Sequence, residues 1–292
     1  MHMSKDELFV GSYLVVFVDI LGQQEILRQI KSLPNKSIPG QKEEFDGLLK
    51  KTIGTVDGLR NLINNFYQEA SKRYINLDDF SGKQKQLYEK SKSNEIKSYM
   101  FSDFVMLFLS LRDDINKVPM GGVFLALASA ASTFLTMLAG GHVIRGGIDI
   151  GLGIEFWEGE IYGPALARAY ALESKIANYP RIILGEELTR YIQLQQSRPQ
   201  NDVFSVLNKH LADLCSTLVA IDDDGYPFLD YLGEGFKKHI MTDLDQTIIN
   251  KAFEFVIRES ERYKASKNSK LAFRYSLLRD YIEHRMDNWI NS

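Results

Sequence analysis

At 292 residues the chain is long enough for one large domain or for a domain with a substantial appendage. Its 45% hydrophobic and 25% charged content is ordinary for a globular fold, and a net charge of −3 gives neither a basic footprint for nucleic acid nor a reason to expect a membrane surface. The lone Cys215 excludes an intrachain disulfide and a cysteine-cluster zinc site, and the five histidines are scattered without ligand spacing. No G-x-x-x-x-G-K-S/T occurs, which removes a P-loop reading. No basic-plus-apolar leader precedes the first apolar run, so the expected location is the cytoplasm.

In chain order, Tyr13–Gly22 (YLVVFVDILG) has the β-branched, aromatic character of a buried strand. Asp19 interrupts that run near its end. A carboxylate among core residues is costly unless it is paired, hydrogen-bonded or bound to a cation, so Asp19 either caps the next helix or belongs to a site. Gln23–Ser32 is expected as a short helix ending before Pro34, and Lys36–Gly40 as a linker. From Gln41 to about Tyr74, apolar residues such as Phe45, Leu49, Val56, Leu59, Ile63 and Phe66 recur at helical spacing, weakened by Gly54 and Gly58. The polar, Lys-rich Asn76–Asn94 reads as an exposed loop. Ile96–Met100 and Phe104–Leu111 then form a hairpin turning at Phe101-Ser102-Asp103, which delivers a second acid at an apolar edge. Two strands that each bring a carboxylate to such an edge make a setting for a divalent metal.

The longest apolar stretch, Val118–Ala139, is rich in Ala, Ser and Thr; it suits a helix (Met120–Ala139) packed closely on a sheet better than a membrane span. Gly140-Gly141 ends it. His142–Gly151 and Ile154–Glu158 follow as strands, Pro164–Ala177 as a helix with proline in its first turn, and Arg181–Leu184 as a short strand. A strand pair is expected around the Asp222–Gly225 turn, and two helices, Leu244–Lys264 and Lys270–Ile290, close the chain.

This order, with the motifs Phe17–Gly22 (FVDILG), Phe101-Ser102-Asp103, Val143–Gly151 (VIRGGIDIG) and Ile161–Glu173 (IYGPALARAYALE), resembles the class III nucleotide cyclase catalytic domain. The spelling of the motifs is closer to the bacterial pyrimidine cyclases of the Pycsar antiphage system. The resemblance implies an α+β, ferredoxin-like (βαββαβ-derived) fold with added helices. It implies a catalytic domain over 1–240, with the motifs inside 13–185, and a helical extension over 241–292. It assigns Asp19, the Ile20 carbonyl and Asp103 to two magnesium or manganese ions, and the backbone amides of Leu21, Gly22 and Gln23 to a phosphate cradle. Phe17 would lie near the nucleotide, Ser102 at the substrate turn, and Arg145 on phosphate, with a surface salt bridge as the bland alternative for Arg145. Lys237 and Lys238 read as a solvated charge run, although they could reach a triphosphate from an opposite subunit.

Departures from the family pattern carry information too. Tyr99 falls where adenylate cyclases keep a purine-reading lysine, and Glu160 falls on its acidic companion, so a pyrimidine is favoured. Ala167 and Ala171 occupy the positions of the transition-state Asn and Arg, with Arg168 one position away as a substitute. Asp149 stands where His is common. The implied activity is cyclisation of UTP, or CTP, to a 3′,5′-cyclic nucleotide plus pyrophosphate. The implied assembly is a homodimer with sites at its interface, signalling to a separate cyclic-nucleotide effector. A catalytically silent cyclase-like module and a purine cyclase are the alternatives.

Overall fold

Along the first strand, β1 (Val10–Ile20), successive side chains enter different layers. Leu14, Val16, Val18 and Ile20 enter the main core, while Tyr13, Val15 and Phe17 join a smaller apolar cluster on the other face. Asp19 shares the parity of the second set, so the period of two sends its carboxylate to the thinly covered side.

The computed structural model describes residues 10–35, 37–73, 81–83, 85–86, 96–112, 117–157, 160–240 and 246–290. It is a mixed α+β structure whose described residues form an eight-stranded sheet ordered β2-β3-β1-β4-β6-β8-β7, with β5 paired to β4 off that path. The strands are β2 (Lys97–Phe101), β3 (Phe104–Ser110), β4 (Ile144–Trp157), β5 (Glu160–Tyr162), β6 (Ile182–Leu184), β7 (Val219–Ile221) and β8 (Pro227–Leu229). β1 runs antiparallel to both neighbours, β3 and β4, whereas β4 and β6 are parallel.

Helices α2 (Gln41–Arg73) and α3 (Pro119–Ala139) cover the main-core face. α3 is long and apolar enough to cross a membrane, but 89% of its apolar window is buried inside the fold. Its small residues permit the close packing expected of it. A Cβ on Gly122 would fall 2.3 Å from a methyl of Leu109. The last two helices, α8 (Gln246–Ala265) and α9 (Ser269–Ile290), add Phe255, Val256, Leu278 and Trp289 to the same core cluster as the sheet.

On the opposite face lies α4 (Pro164–Ala171), which runs on into a π-helical turn, Leu172–Ile176. It can approach because the facing positions of β4 lack side chains. A Cβ on Gly147 would stand 2.3 Å from the Ala169 carbonyl oxygen, and one on Gly151 would stand 2.9 Å from the Ala165 nitrogen. Asp149, of the same parity, serves as a helix anchor. Its carboxylate accepts the Leu188 backbone N–H at 3.0 Å, at the start of α5 (Glu186–Ser197). Burial pushes the Asp149 carboxyl up from the usual range, against the pull of the Ile150 and Leu188 amides.

Several elements differ from expectation. His142–Gly151 and Ile154–Glu158 are one strand, Ile144–Trp157, followed by β5, which begins at Glu160 after an irregularity near Glu155. Continuous antiparallel pairing with β1 from Ile144 to Ile154 carries the strand through its glycines. The first helix, α1, is only Gln23–Leu27. The expected turn joins β7 to β8, with Gly225 at φ 83°. Helices α5, α6 (Val203–Ser216) and α7 (Glu234–His239) were not anticipated. The stretch 76–94 lies largely outside the described residues.

Glycine substitutions test this packing. Gly147→Ala should lower stability by about 2 kcal/mol or more, because backbone and not a flexible side chain blocks the new methyl. Gly54→Ala, in an exposed part of α2 with nothing within 4 Å, should raise it by about 0.5–1 kcal/mol. Urea unfolding midpoints of the two variants against wild type measure both effects.

Candidate active site

Strand register arranges the uncovered face in rows. Tyr99 of β2 lies opposite Met106 of β3, which lies opposite Phe17 of β1, which lies opposite Gly147 of β4. The neighbouring same-face row, two residues along, reads Phe101, Phe104, Asp19, Arg145. An apolar row and a charged row therefore adjoin at the end of β1. Phe17 stacks on Phe104 with ring centroids 4.9 Å apart, and Tyr170 of α4 meets Phe17 edge-on at 5.4 Å.

These rows floor a cleft of about 1020 Å³. Its walls come from β5 (Glu160, Ile161, Tyr162) and from one helical face at Pro164, Ala167, Tyr170 and Ser174. The volume suits a ligand of nucleotide size, with ring-shaped apolar surface on one side and charge on the other.

The charged end has a defined electrostatic logic. Arg145 is bound by Glu173 from the π-turn, through Nη2 and through Nε at 2.6 Å from Oε1. Glu173 is almost fully buried, so its charge is spent on this pair. Asp19 is left short of counter-charge. Burial, then the charges of Asp103 and Glu173, raise its carboxyl to about 7, while Arg145 and the Ile20 amide pull it down only in part. Asp103 sits in the two-residue turn of the β2–β3 hairpin, where Ser102 adopts φ 54° and the Asp103 carbonyl accepts the Ile20 N–H at 3.1 Å. That hydrogen bond ties the hairpin tip to the end of β1 and fixes one acid near the other.

A carboxylate raised by neighbouring carboxylates is one that a cation would relieve, so the chemistry of Asp19 and Asp103 fits a divalent ion. Among the described residues no group of three or more His, Cys, Asp or Glu is arranged to hold a metal. The donors that the sequence resemblance names for such an ion are Asp19, Asp103 and the Ile20 carbonyl, and water would have to complete the shell, as magnesium commonly requires.

The sequence-derived site residues divide into three groups. Phe17, Asp19, Tyr99, Arg145 and Glu160 all line the cleft. Ser102 and Asp103 are at the hairpin tip beside it and are not among its lining residues. Leu21, Gly22 and Gln23 line a different cavity, on the far side of the end of β1. The Leu21 amide donates to the Val143 carbonyl at 3.0 Å, so it is not free for a phosphate; β-type pairing simply continues past the strand end. Arg168 is also a correction. It reaches the Ile150 carbonyl at 3.4 Å and Glu187 at 3.5 Å and does not line the cleft, because the helix turns Ala167 and Tyr170 inward instead. Lys237 lies over the Trp289 ring at 5.2 Å. Glu173 was missed as a site residue, and the signal was present: an acid ending the IYGPALARAYALE motif on the helix face that carries Tyr170.

No known family profile matches the chain, and no curated protein matches it in sequence. Among solved structures, a bacterial light-regulated adenylyl cyclase is similar, with 11% identity, a TM-score of 0.37, and coverage of 83% of this chain and 99% of that one.

The raised Asp19 carboxyl predicts a pH-dependent stability. With its folded-state value near 7 and its unfolded value near 3.8, Asp19 contributes stability that is fully present below about pH 4 and is lost as pH rises to about 7. In chelator, the stability of wild type minus that of Asp19→Asn should fall from pH 4 to pH 8 by urea unfolding. An unchanging difference would mean that Asp19 ionises normally.

Proposed function

We propose that the chain is a nucleotidyl cyclase acting on a pyrimidine ribonucleoside triphosphate, UTP first and CTP second. The observation that carries this reading is the adjacency of two rows in one cleft: an aromatic floor that suits a base, and a cluster of Asp19, Asp103, Arg145 and Glu173 that suits a metal-bound triphosphate. The strand order β2-β3-β1-β4, with helices after β1 and β3, is that of a split βαβ sheet and supports the ferredoxin-like assignment.

In the reaction, the ribose 3′-oxygen bonds to the α-phosphorus as the bond from that phosphorus to the β-phosphate oxygen breaks. Pyrophosphate leaves and the hydroxyl proton passes to water. Magnesium or manganese, two ions per site, would supply Lewis acidity and neutralise phosphate charge. The chain's own part is to orient. Phe17, Phe104 and Met106 form a floor for the base, and Tyr99 narrows the cleft with a rigid ring and one hydroxyl that donates or accepts. A narrowed pocket admits one ring more readily than two, which favours pyrimidines by excluding purines. Arg145 can turn one edge of its guanidinium toward phosphate while Glu173 holds the other.

The cleft is open, and we infer that a second copy of the chain covers it, giving a homodimer with two equivalent sites. Antiphage signalling through a separate effector is what the family resemblance implies for the product. A second reading, a nucleotide-binding module without turnover, is favoured by Ala167, which presents only a methyl to the cleft, and by the tight Arg145–Glu173 pair.

Incubation with equal UTP, CTP, ATP and GTP plus manganese, with products read by mass, separates these readings. Cyclic UMP or CMP should predominate, and Asp19→Asn or Asp103→Asn should cut turnover on the order of 100-fold or more. Tyr99→Ala should erode the preference for pyrimidines. Sedimentation of the full chain should give a dimer, and a monomer that turns over would overturn the shared-site arrangement. Nucleotide binding without any cyclic product would favour the silent module, and predominant cyclic AMP would refute the pyrimidine assignment.

A further inference from the structure

The second cavity, about 570 Å³, lies between the β1–α1 turn, α2 and the two C-terminal helices. Its charge is lopsided. Lys51 of α2, Arg258 and Arg262 of α8 and Arg274 of α9 line it, against, among the described residues, the single carboxylate of Glu259. Glu259 is engaged with Arg262 at 2.8 Å and, more loosely, with Arg258 at 3.7 Å. Neither Lys51 nor Arg274 has a carboxylate partner among the described residues. Arg274 is half-buried, and both burial and the charge of Arg145 make its protonated form less comfortable than usual. His142, also in the lining, is pushed toward its neutral form by burial and by Lys51, so it adds no further positive charge there.

A further observation points to an occupant. The Gln23 side chain is only 4% exposed, lines this cavity, and leaves its Oε1 without a hydrogen-bond donor. As placed, that oxygen calls for a donor; with the amide turned over, the same position presents NH2, from which an anion in the cavity can accept. The cations come from three helices and surround the space from different sides. That arrangement suits an anion whose charge is spread over several oxygens better than it suits a single carboxylate. The pocket exists only because α8 and α9 fold over the end of β1.

We propose that this pocket is an oligophosphate-binding site that takes a pyrophosphate-class anion between the β1–α1 turn and the C-terminal helix pair. It lies outside the cleft and rests on its own charges, so it does not require the cyclase reading. If that reading holds, the occupant is the released pyrophosphate.

Calorimetric titration of the full chain in chelator with sodium pyrophosphate, and with sulfate at matched ionic strength, tests the site. Pyrophosphate should bind saturably at one site per chain and more tightly than sulfate. Arg274→Gln and Lys51→Gln should each weaken it roughly 10-fold or more, since each removes a charge-assisted contact. Lys51 is exposed on α2, so Lys51→Gln carries the test if Arg274→Gln unfolds. Undiminished affinity in both variants, or no saturable binding beyond sulfate, overturns the proposal. Pyrophosphate binding without cyclic-nucleotide formation would sink the cyclase reading and leave this one standing. Cyclase activity with pyrophosphate affinity indifferent to both variants would do the reverse.

Discussion

Helix α4 rests on β4 through glycine, and the placement of the cleft depends on that contact. With no side chains at Gly147 and Gly151, the helix backbone comes within van der Waals reach of the strand. At that distance Tyr170 meets Phe17, and the π-turn beyond carries Glu173 onto Arg145. A π-turn adds a residue to one helical turn and so re-aims the side chains beyond it; such turns are frequent at functional sites. Because the helix is short and sits over β4 and β1, it leaves Phe104 of β3 and Tyr99 of β2 only partly covered on that face. Phe104 and Tyr99, with the buried Met106 between them, thus become the floor of a cleft.

The same contact sets the charge at the end of β1. Asp19, Asp103 and Glu173 act against the single cation Arg145, and Glu173 takes most of that cation for itself. The acid pair is held together by backbone, through the Asp103 carbonyl and the Ile20 amide, so repulsion between the side chains cannot separate them. A stored electrostatic penalty of this kind marks functional sites more often than structural ones, where evolution replaces or pairs such groups.

How much of this could be read from sequence depends on the range of the interactions. The β1 strand, its odd acid, the hairpin bearing Asp103, and the helices α2, α3, α8 and α9 were legible, because periodicity and apolar runs are local signals. Tyr99 and Glu160 reached the cleft through strand pairing that the motif order anticipated. At the site, the differences are of direction. Leu21 to Gln23 come immediately after Asp19, yet the chain turns at Gly22 (φ 90°) and they face the opposite cavity. Arg168 and Ala167 are adjacent in sequence and about a quarter-turn apart on the helix, which is enough to send the guanidinium to Glu187. α5 escaped because its buried stripe is narrow: Leu188, Ile192 and Gln195 are the only buried positions of a Gln-rich helix. α6 buries a broader stripe that includes Leu207, Leu211 and Cys215. The Asp202–Ser205 capping box that opens α6 was a usable signal. Asp149, read as a departure from a family histidine, has a structural role as the anchor of α5.

The end of β1 therefore separates two opposite fields. Acids gather on the cleft side, while Lys51, Arg258 and Arg274 gather behind the β1–α1 turn with too few acids to match. The link between the two sides is the repulsion of Arg274 by Arg145. Burial comes first in the cost of keeping Arg274 charged and the charge of Arg145 second, while Glu173 holds Arg145 on the cleft side. The two charge clusters thus meet across one strand end, the acids held there by the hairpin and the cations brought by the C-terminal helices that close over it.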